Sequence, residues 1–371
     1  MNVNQRRNVQ YYPMDYWLLF SALLLAGIGL IMVFSSSGIM AERFYHDKYL
    51  FFKKQAAFAV VGTLVMVFCA RVNRRFFYDL TYVWVALVIV LLVLTKVIGA
   101  TVGGGKRWIH LGPFSLQPLE FAKIALVFYL AFFFAKKQEL VQTRTFTVGV
   151  IPPFLVTGVM CLLLMMQPDF GGTAFLCFIL FCMCLVGGTR VIYLALSAVI
   201  GAWAGWMLIA REPYRLKRWT AFLDPFAVAK DEGYQLVQSL YAFGSGKFFG
   251  AGLGAGKQKL FFLPEAHNDF IMAVVGEELG FFGISLIFLL VGFLLVRGFR
   301  VAFLQEDLMD RFTAFGMCVI LALGFCLNLA VVLGTVPPKG VPMPFISYGG
   351  SSLIASFICV GVLLNLSRNR S

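Results

Sequence analysis

The chain has 371 residues and a formal net charge of +13, with 60% apolar residues and only 13% charged ones. Soluble domains average roughly 45–50% apolar and about 25% charged, so this balance, with a mean hydropathy of +0.85, excludes an ordinary water-soluble globule. The 40 Phe fit a surface solvated by lipid, and the excess of cations is a matter of membrane topology before nucleic acid is invoked.

Windows of about 20 residues predict ten spans: Tyr16–Ser35, Gln55–Ala70, Asp79–Ile98, Gln117–Phe134, Thr147–Met166, Thr173–Gly188, Ile192–Ala210, Phe270–Leu295, Phe312–Leu333 and Ser347–Leu366. Residues 1–15 read as a polar tail. The first apolar run is too long for a signal peptide and lacks a small-residue cleavage site after it, so it reads as a retained span. Lys and Arg gather at alternate connections: Arg6 and Arg7; Arg71, Arg74 and Arg75; Lys136, Lys137 and Arg144; Arg190; Arg297, Arg300 and Arg311; Arg368 and Arg370. By the positive-inside rule these places and both termini are cytoplasmic and the span count is even. The expected fold class is an all-α polytopic membrane protein of about ten transmembrane helices, one integral membrane domain over residues 1–371. All eight Cys fall inside apolar spans without metal-ligand spacing, which assigns them to packing.

The segments expected on the other side are Thr101–Leu116, Arg211–Asn268 and Thr335–Ile346. The second, an extracytoplasmic loop over 211–268 between spans 7 and 8, is too long to be a mere connection. Its cations, Arg211, Arg215, Lys217, Arg218, Lys230, Lys247, Lys257 and Lys259, suit either an anionic ligand at the outer surface or a solvated basic loop. Within it, Gly244 to Gly256 contains six Gly. Such a run either brings backbone amides up to a phosphate or makes a tight re-entrant turn.

The stretch LPEAHNDFIMAVVGEELGFFG, residues 263–283, carries five titratable groups up to and into an apolar span. Asn268 is the expected cap of a helix beginning at Asp269. At 1.5 Å per residue, Glu277 and Glu278 lie about 12 to 14 Å deeper, which makes them buried polar anchors and leaves Asp269, at the water boundary, to meet a substrate. In QPLEFAK, Glu120 and Lys123 share a helix face and can pair. MMQPDFGGTA and PPKGVPMPFISYGGSS interrupt apolar runs with Pro, Gly, Asp169 and Lys339. Broken backbone at membrane depth belongs where it is buried or lines a cavity, so a polar cavity is expected under the external loops.

In chain order, GGGKRWIHLGPFSLQPLEFAK, QPDFGGTA, RWTAFLDPFAVAKDEGYQLVQSLYAFGSGKFFGAGLG, LPEAHNDFIMAVVGEELG and PPKGVPMPFISYGGSS resemble the SEDS family of cell-wall proteins (shape, elongation, division, sporulation), and its division branch above its elongation branch. Leu119 stands where that family usually has Ser. The resemblance implies a peptidoglycan glycosyltransferase of the bacterial inner membrane that polymerises lipid II at the outer face during septal wall synthesis. It implies a class B penicillin-binding protein and other division proteins as partners. No nucleic acid and no tightly bound cofactor are expected, with Mg²⁺ or Mn²⁺ arriving on the substrate pyrophosphate. The family's essential loop aspartate falls on Asp269, its conserved Glu/Lys pair on Glu120 and Lys123, and its Arg and Trp on Arg107 and Trp108.

Forming a β-1,4 bond from an α-linked sugar pyrophosphate needs one base for the attacking 4-hydroxyl, and the leaving group needs no acid. Asp269 is the expected base. Lys106, Arg107, Arg215, Arg218 and Lys257 are the candidates for binding the departing charge. Trp108 stacks on a sugar or anchors its loop, and His267 is a substrate contact and second base or a hydrogen-bonding spacer. A lipid II flippase, which needs a polar path across the bilayer, and a scaffold for the penicillin-binding protein are the rival readings.

Overall fold

The computed structural model describes residues 10–11, 13–102, 105–112, 114–143, 145–211, 213–231, 233–260, 262–338 and 340–370. A short strand β1 (Gln10–Tyr11) precedes α1 (Tyr16–Tyr45) and α2 (Leu50–Arg71), and α3 (Arg75–Asp79) leads into α4 (Thr81–Ile98). Three strands follow, β2 (Ala100–Val102), β3 (Gly105–Leu111) and β4 (Phe114–Leu116). Then come α5 (Pro118–Thr143), a π-helical turn (Thr145–Val150), α6 (Ile151–Met165), α7 (Phe170–Val186) and α8 (Val191–Ala210). The long connection holds α9 (Pro213–Leu223) and α10 (Tyr234–Gly246), before α11 (Ile271–Phe303), α12 (Leu308–Val332), α13 (Gly350–Arg368) and β5 (Asn369–Arg370).

Among the described residues, eight helices are long and apolar enough to cross a membrane, and two shorter apolar helices, Phe170–Val186 and Val191–Met207, bring the set to the expected ten. Nearly every side of α5 and α13 is enclosed, whereas α2 turns most of its surface outward. In lipid both surfaces are apolar, so shape and polar contacts rather than an apolar stripe decide which helices are central.

Those polar contacts sort the connections onto two faces. On one, Arg297 pairs with Asp15 at 2.6 Å, and the Asp15 N–H donates to Ser367 Oγ at 3.1 Å. Arg74 and Tyr78 both donate to the Asp310 carboxylate. Asn365 Nδ2 donates to the carbonyls of Cys69 and Val72, and Gln305 Nε2 to that of Leu366. These contacts gather the start of α1, the α2–α4 and α11–α12 connections and the end of α13, all sites of predicted basic clusters. On the opposite face, Gln55 Nε2 donates to Ser347 O at 3.0 Å, Gln167 Nε2 to Leu92 O at 2.8 Å, and the Gln117 N–H to Ser351 Oγ at 2.9 Å.

Three expectations are corrected. Helix α1 continues past Ser35 to Tyr45, because Ser36 and Ser37 turn their hydroxyls back onto Val33 O instead of breaking the helix. Helix α11 starts at Ile271, with Phe270 at the cap and no side-chain cap; Asn268 instead donates to Glu265 Oε2 at 2.8 Å within the preceding turn. The segment 101–116, expected only as a loop, contributes β3 and β4 to an antiparallel sheet ordered β2-β3-β4.

Candidate active site

Asp269 occupies the turn that leads into α11. Its backbone carbonyl accepts from Asn328 Nδ2 at 2.8 Å, and the same amide donates to Val341 O at 2.8 Å. One buried amide of α12 thus ties the aspartate's backbone to the proline-rich segment. The carboxylate lies against Gly340: a Cβ there would stand 2.9 Å from Asp269 Oδ2 and would push the carboxylate aside. Among the described residues this carboxylate accepts no hydrogen bond. Burial, aided by the negative charge of Glu265, pushes it up to about 7. Glu265 (φ 52°) and Phe345 (φ 64°) hold the left-handed backbone conformation without being glycine. Such geometry costs on the order of 1–3 kcal/mol per residue and persists where the surroundings enforce it.

The His267 ring packs 4.9 Å from Phe51 and 5.7 Å from Tyr348 between centroids, and its carbonyl accepts the Tyr348 N–H at 3.0 Å. Burial lowers its pKa against the upward pull of Glu265. Among the described residues the His267 side chain makes no hydrogen bond to Asp269; its contacts are the two aromatic rings. Gln235 of α10 donates to Pro264 O at 3.2 Å, fastening the turn from the other side.

Deeper along α11, Gly280 adopts φ 66° and breaks the helix. The freed N–H groups of Phe281 and Phe282 donate to Lys247 O and Phe248 O at 3.0 and 2.9 Å. In return, the N–H groups of Ala251 and Gly252 reach the carbonyls of Glu277 and Glu278. The Glu277 carboxylate accepts from the N–H groups of Lys257, at 2.7 Å, and Gln258. Glu278 accepts from Gly254 N, from Ser35 Oγ and from Lys259 Nζ, the last at 2.6 Å in a fully buried pair. Glu277 and Glu278 are anchors, as expected. The Gly-rich run forms a tight turn packed on α11, and the amides of Ala251, Gly252, Gly254, Lys257 and Gln258 are bonded within the protein rather than open to a phosphate. Lys259, too, is held in an internal pair, while the Lys257 side chain stays exposed.

Lys106, Arg107 and Trp108 lie on β3. Alternation along a strand sends Lys106 outward, where it is exposed, while Arg107 donates to Pro168 O beside α7. Arg107 Nε is buried without a partner among the described residues. Glu120 and Lys123 form the expected pair at 2.7 Å, buried, with Lys123 Nζ 4.2 Å from the Phe175 ring centroid. Arg218 is exposed on α9, and the side chains of Arg215 and Lys339 lie outside the described residues. No hydrogen bond or ion pair among the described residues joins Asp269 to the β3 cations, Lys257 or the Glu120–Lys123 pair; the structure brings together Glu265, His267, Asp269, Asn328 and Gly340. Among the described residues no group of three or more His, Cys, Asp or Glu could hold a metal ion; a divalent ion carried on a pyrophosphate belongs to the substrate and needs no such group. Asn328 and Gly340 escaped the sequence reading. A lone Asn inside GFCLNLAVV was the available signal for the first, since an unpaired amide at membrane depth is costly.

The family described as "Cell cycle protein", FtsW/RodA/SpoVE, matches residues 16–371. The chain belongs to this family, the SEDS family. Among its relatives, the "Probable peptidoglycan glycosyltransferase FtsW" of Trichlorobacter lovleyi is 42% identical over 355 residues, 95% of this chain and 93% of the relative. The stage V sporulation protein E of Bacillus subtilis is 39% identical over 360 residues, 95% and 97% of the two chains. Among solved structures, the rod shape determining protein RodA of Thermus thermophilus has a TM-score of 0.71 at 27% identity, covering 96% of this SEDS chain and 97% of its own. A chain of a structure described as "Structural coordination of polymerization and crosslinking by a peptidoglycan synthase complex" reaches 0.78 at 27% identity, covering 96% and 98%.

Proposed function

We propose that this chain is the peptidoglycan glycosyltransferase that polymerises lipid II into β-1,4-linked strands during septal wall synthesis, with Asp269 as the general base. The observation that carries the reading is one carboxylate, half-sheltered against Gly340, held by its backbone to Asn328 and raised to about 7. A base works best when its pKa lies near the working pH. In the reaction, the 4-hydroxyl oxygen attacks the anomeric carbon, Asp269 takes its proton, and the bond from that carbon to the pyrophosphate breaks, inverting the centre. Lys106, Arg107, Arg215, Arg218 and Lys257 are the groups we assign to the departing charge, and Trp108 to a sugar face; Mg²⁺ or Mn²⁺ would travel with the pyrophosphate.

The arginine-rich face is cytoplasmic on this reading, with both termini, and the loop-bearing face is outside the inner membrane. A class B penicillin-binding protein is the expected partner, a reading supported by the likeness to a chain from a synthase complex. The test is to reconstitute the purified protein with lipid II, alone and with that partner, and to measure glycan chains and lipid II translocation in the same vesicles. Polymer without translocation supports the glycosyltransferase. Translocation without polymer makes the protein a flippase, and neither, with partner synthesis restored, makes it a scaffold.

A further inference from the structure

On the arginine-rich face, the ends of three helices enclose a cavity of about 480 Å³ lined by Pro13, Met14, Tyr16 and Leu19 before and in α1, Val67, Ala70 and Arg71 of α2, and Leu364 and Arg368 of α13. Arg71 and Arg368 are each the last residue of their helix and are exposed. Neither has an acid partner among the described residues, whereas two buried acids of this face are already matched, Asp15 by Arg297 and Asp310 by Arg74. Two guanidinium groups without an acid partner among the described residues therefore line the cavity. Tyr16, 64% exposed, also lines it, and Leu19, Val67 and Leu364 give it apolar wall. Pairing of Gln10–Tyr11 with Asn369–Arg370 brings the flanking segments together beside residues 13 and 368.

We infer that this cavity binds the headgroup phosphate of an anionic phospholipid from the adjoining leaflet. A phosphodiester accepts two hydrogen bonds from each planar guanidinium, and a glycerol backbone with the first carbons of an acyl chain fits the apolar wall. Free phosphate would use the arginines but leave that wall in contact with water, which argues for the lipid. The site lies on the face opposite Asp269 and belongs to neither the base nor the loop cations.

The test uses the full-length protein in neutral detergent, titrated with phosphatidylglycerol or phosphatidylcholine and read by native mass spectrometry and by melting temperature. Preferential retention of phosphatidylglycerol is expected, falling at least tenfold in the double variant Arg71→Gln, Arg368→Gln, and unchanged in Arg75→Gln, an exposed arginine outside the cavity. Val67→Trp, which fills the cavity and keeps both arginines, should also lose the lipid, so the inference stands or falls even if the arginine variant does not fold. Equal retention of the two lipids overturns it, as does an equal loss in Arg75→Gln, which would reveal general surface charge. Displacement of the lipid by equimolar inorganic phosphate would overturn the assignment to a lipid in favour of a free anion.

Discussion

At the scale of single residues, the site depends on what is withheld from Asp269 as much as on what is supplied. A carboxylate at the mouth of a helix ordinarily gains N–H donors and stays acidic; here Phe270 precedes Ile271 and the side chain is left without a donor among the described residues. With its pKa raised to about 7, the rate should fall about tenfold per pH unit well below that value, because only the ionised form accepts a proton. Removing the negative charge of Glu265 removes one upward push, so Glu265→Gln should move the acidic limb of the pH–rate profile to lower pH; an unmoved limb would detach Asp269 from that limb. Gly340→Ala places a methyl group 2.9 Å from Oδ2. The flexible carboxylate gives way before the backbone does, so turnover should drop while the melting temperature stays within a degree or two of wild type, about the size of a surface substitution.

At the scale of elements, α11 is two helices joined at Gly280, and the Gly-rich segment supplies the hydrogen bonds that the break removes. The sequence displayed both halves of this arrangement, a pair of glutamates in an apolar span and a run of glycines upstream. Spacing alone could not join them, because 250 and 280 are brought together by tertiary contact. Likewise the Asn268 cap failed since residues 264–270 follow a turn dictated by Gln235, Asn328 and the aromatic packing of His267. The apolar spans, by contrast, were plainly legible, because bilayer thickness fixes their length. Glu278→Gln leaves Lys259 buried and unpaired and should lower stability by about 3–5 kcal/mol. Adding Lys259→Met should recover most of it in a thermal unfolding series in detergent; additive losses would show that the pair is not what fastens the loop.

At the scale of the whole molecule, two polar layers bracket an apolar bundle. One layer is pinned by Arg297–Asp15 and Arg74–Asp310, and the other by contacts that bring the segments around Gln117, Gln167, His267 and Ser347 into one face. The charge pattern forecast these layers because alternate connections return to the same side. A cysteine replacing exposed Lys257 should react with an impermeant maleimide applied from outside intact cells, and one replacing Arg75 only after permeabilisation. The reverse pattern would invert the orientation and move Asp269 to the wrong side for wall synthesis.

The most direct measurement compares wild type with Asp269→Asn, each with the proposed penicillin-binding partner, for lipid II binding and glycan chain formation in the same preparation. Loss of a general base removes roughly 10²- to 10⁴-fold of rate, so the Asn form should bind lipid II at wild-type affinity and make at least a hundredfold less polymer. Equal polymer from both proteins would contradict the assignment of Asp269 as the base.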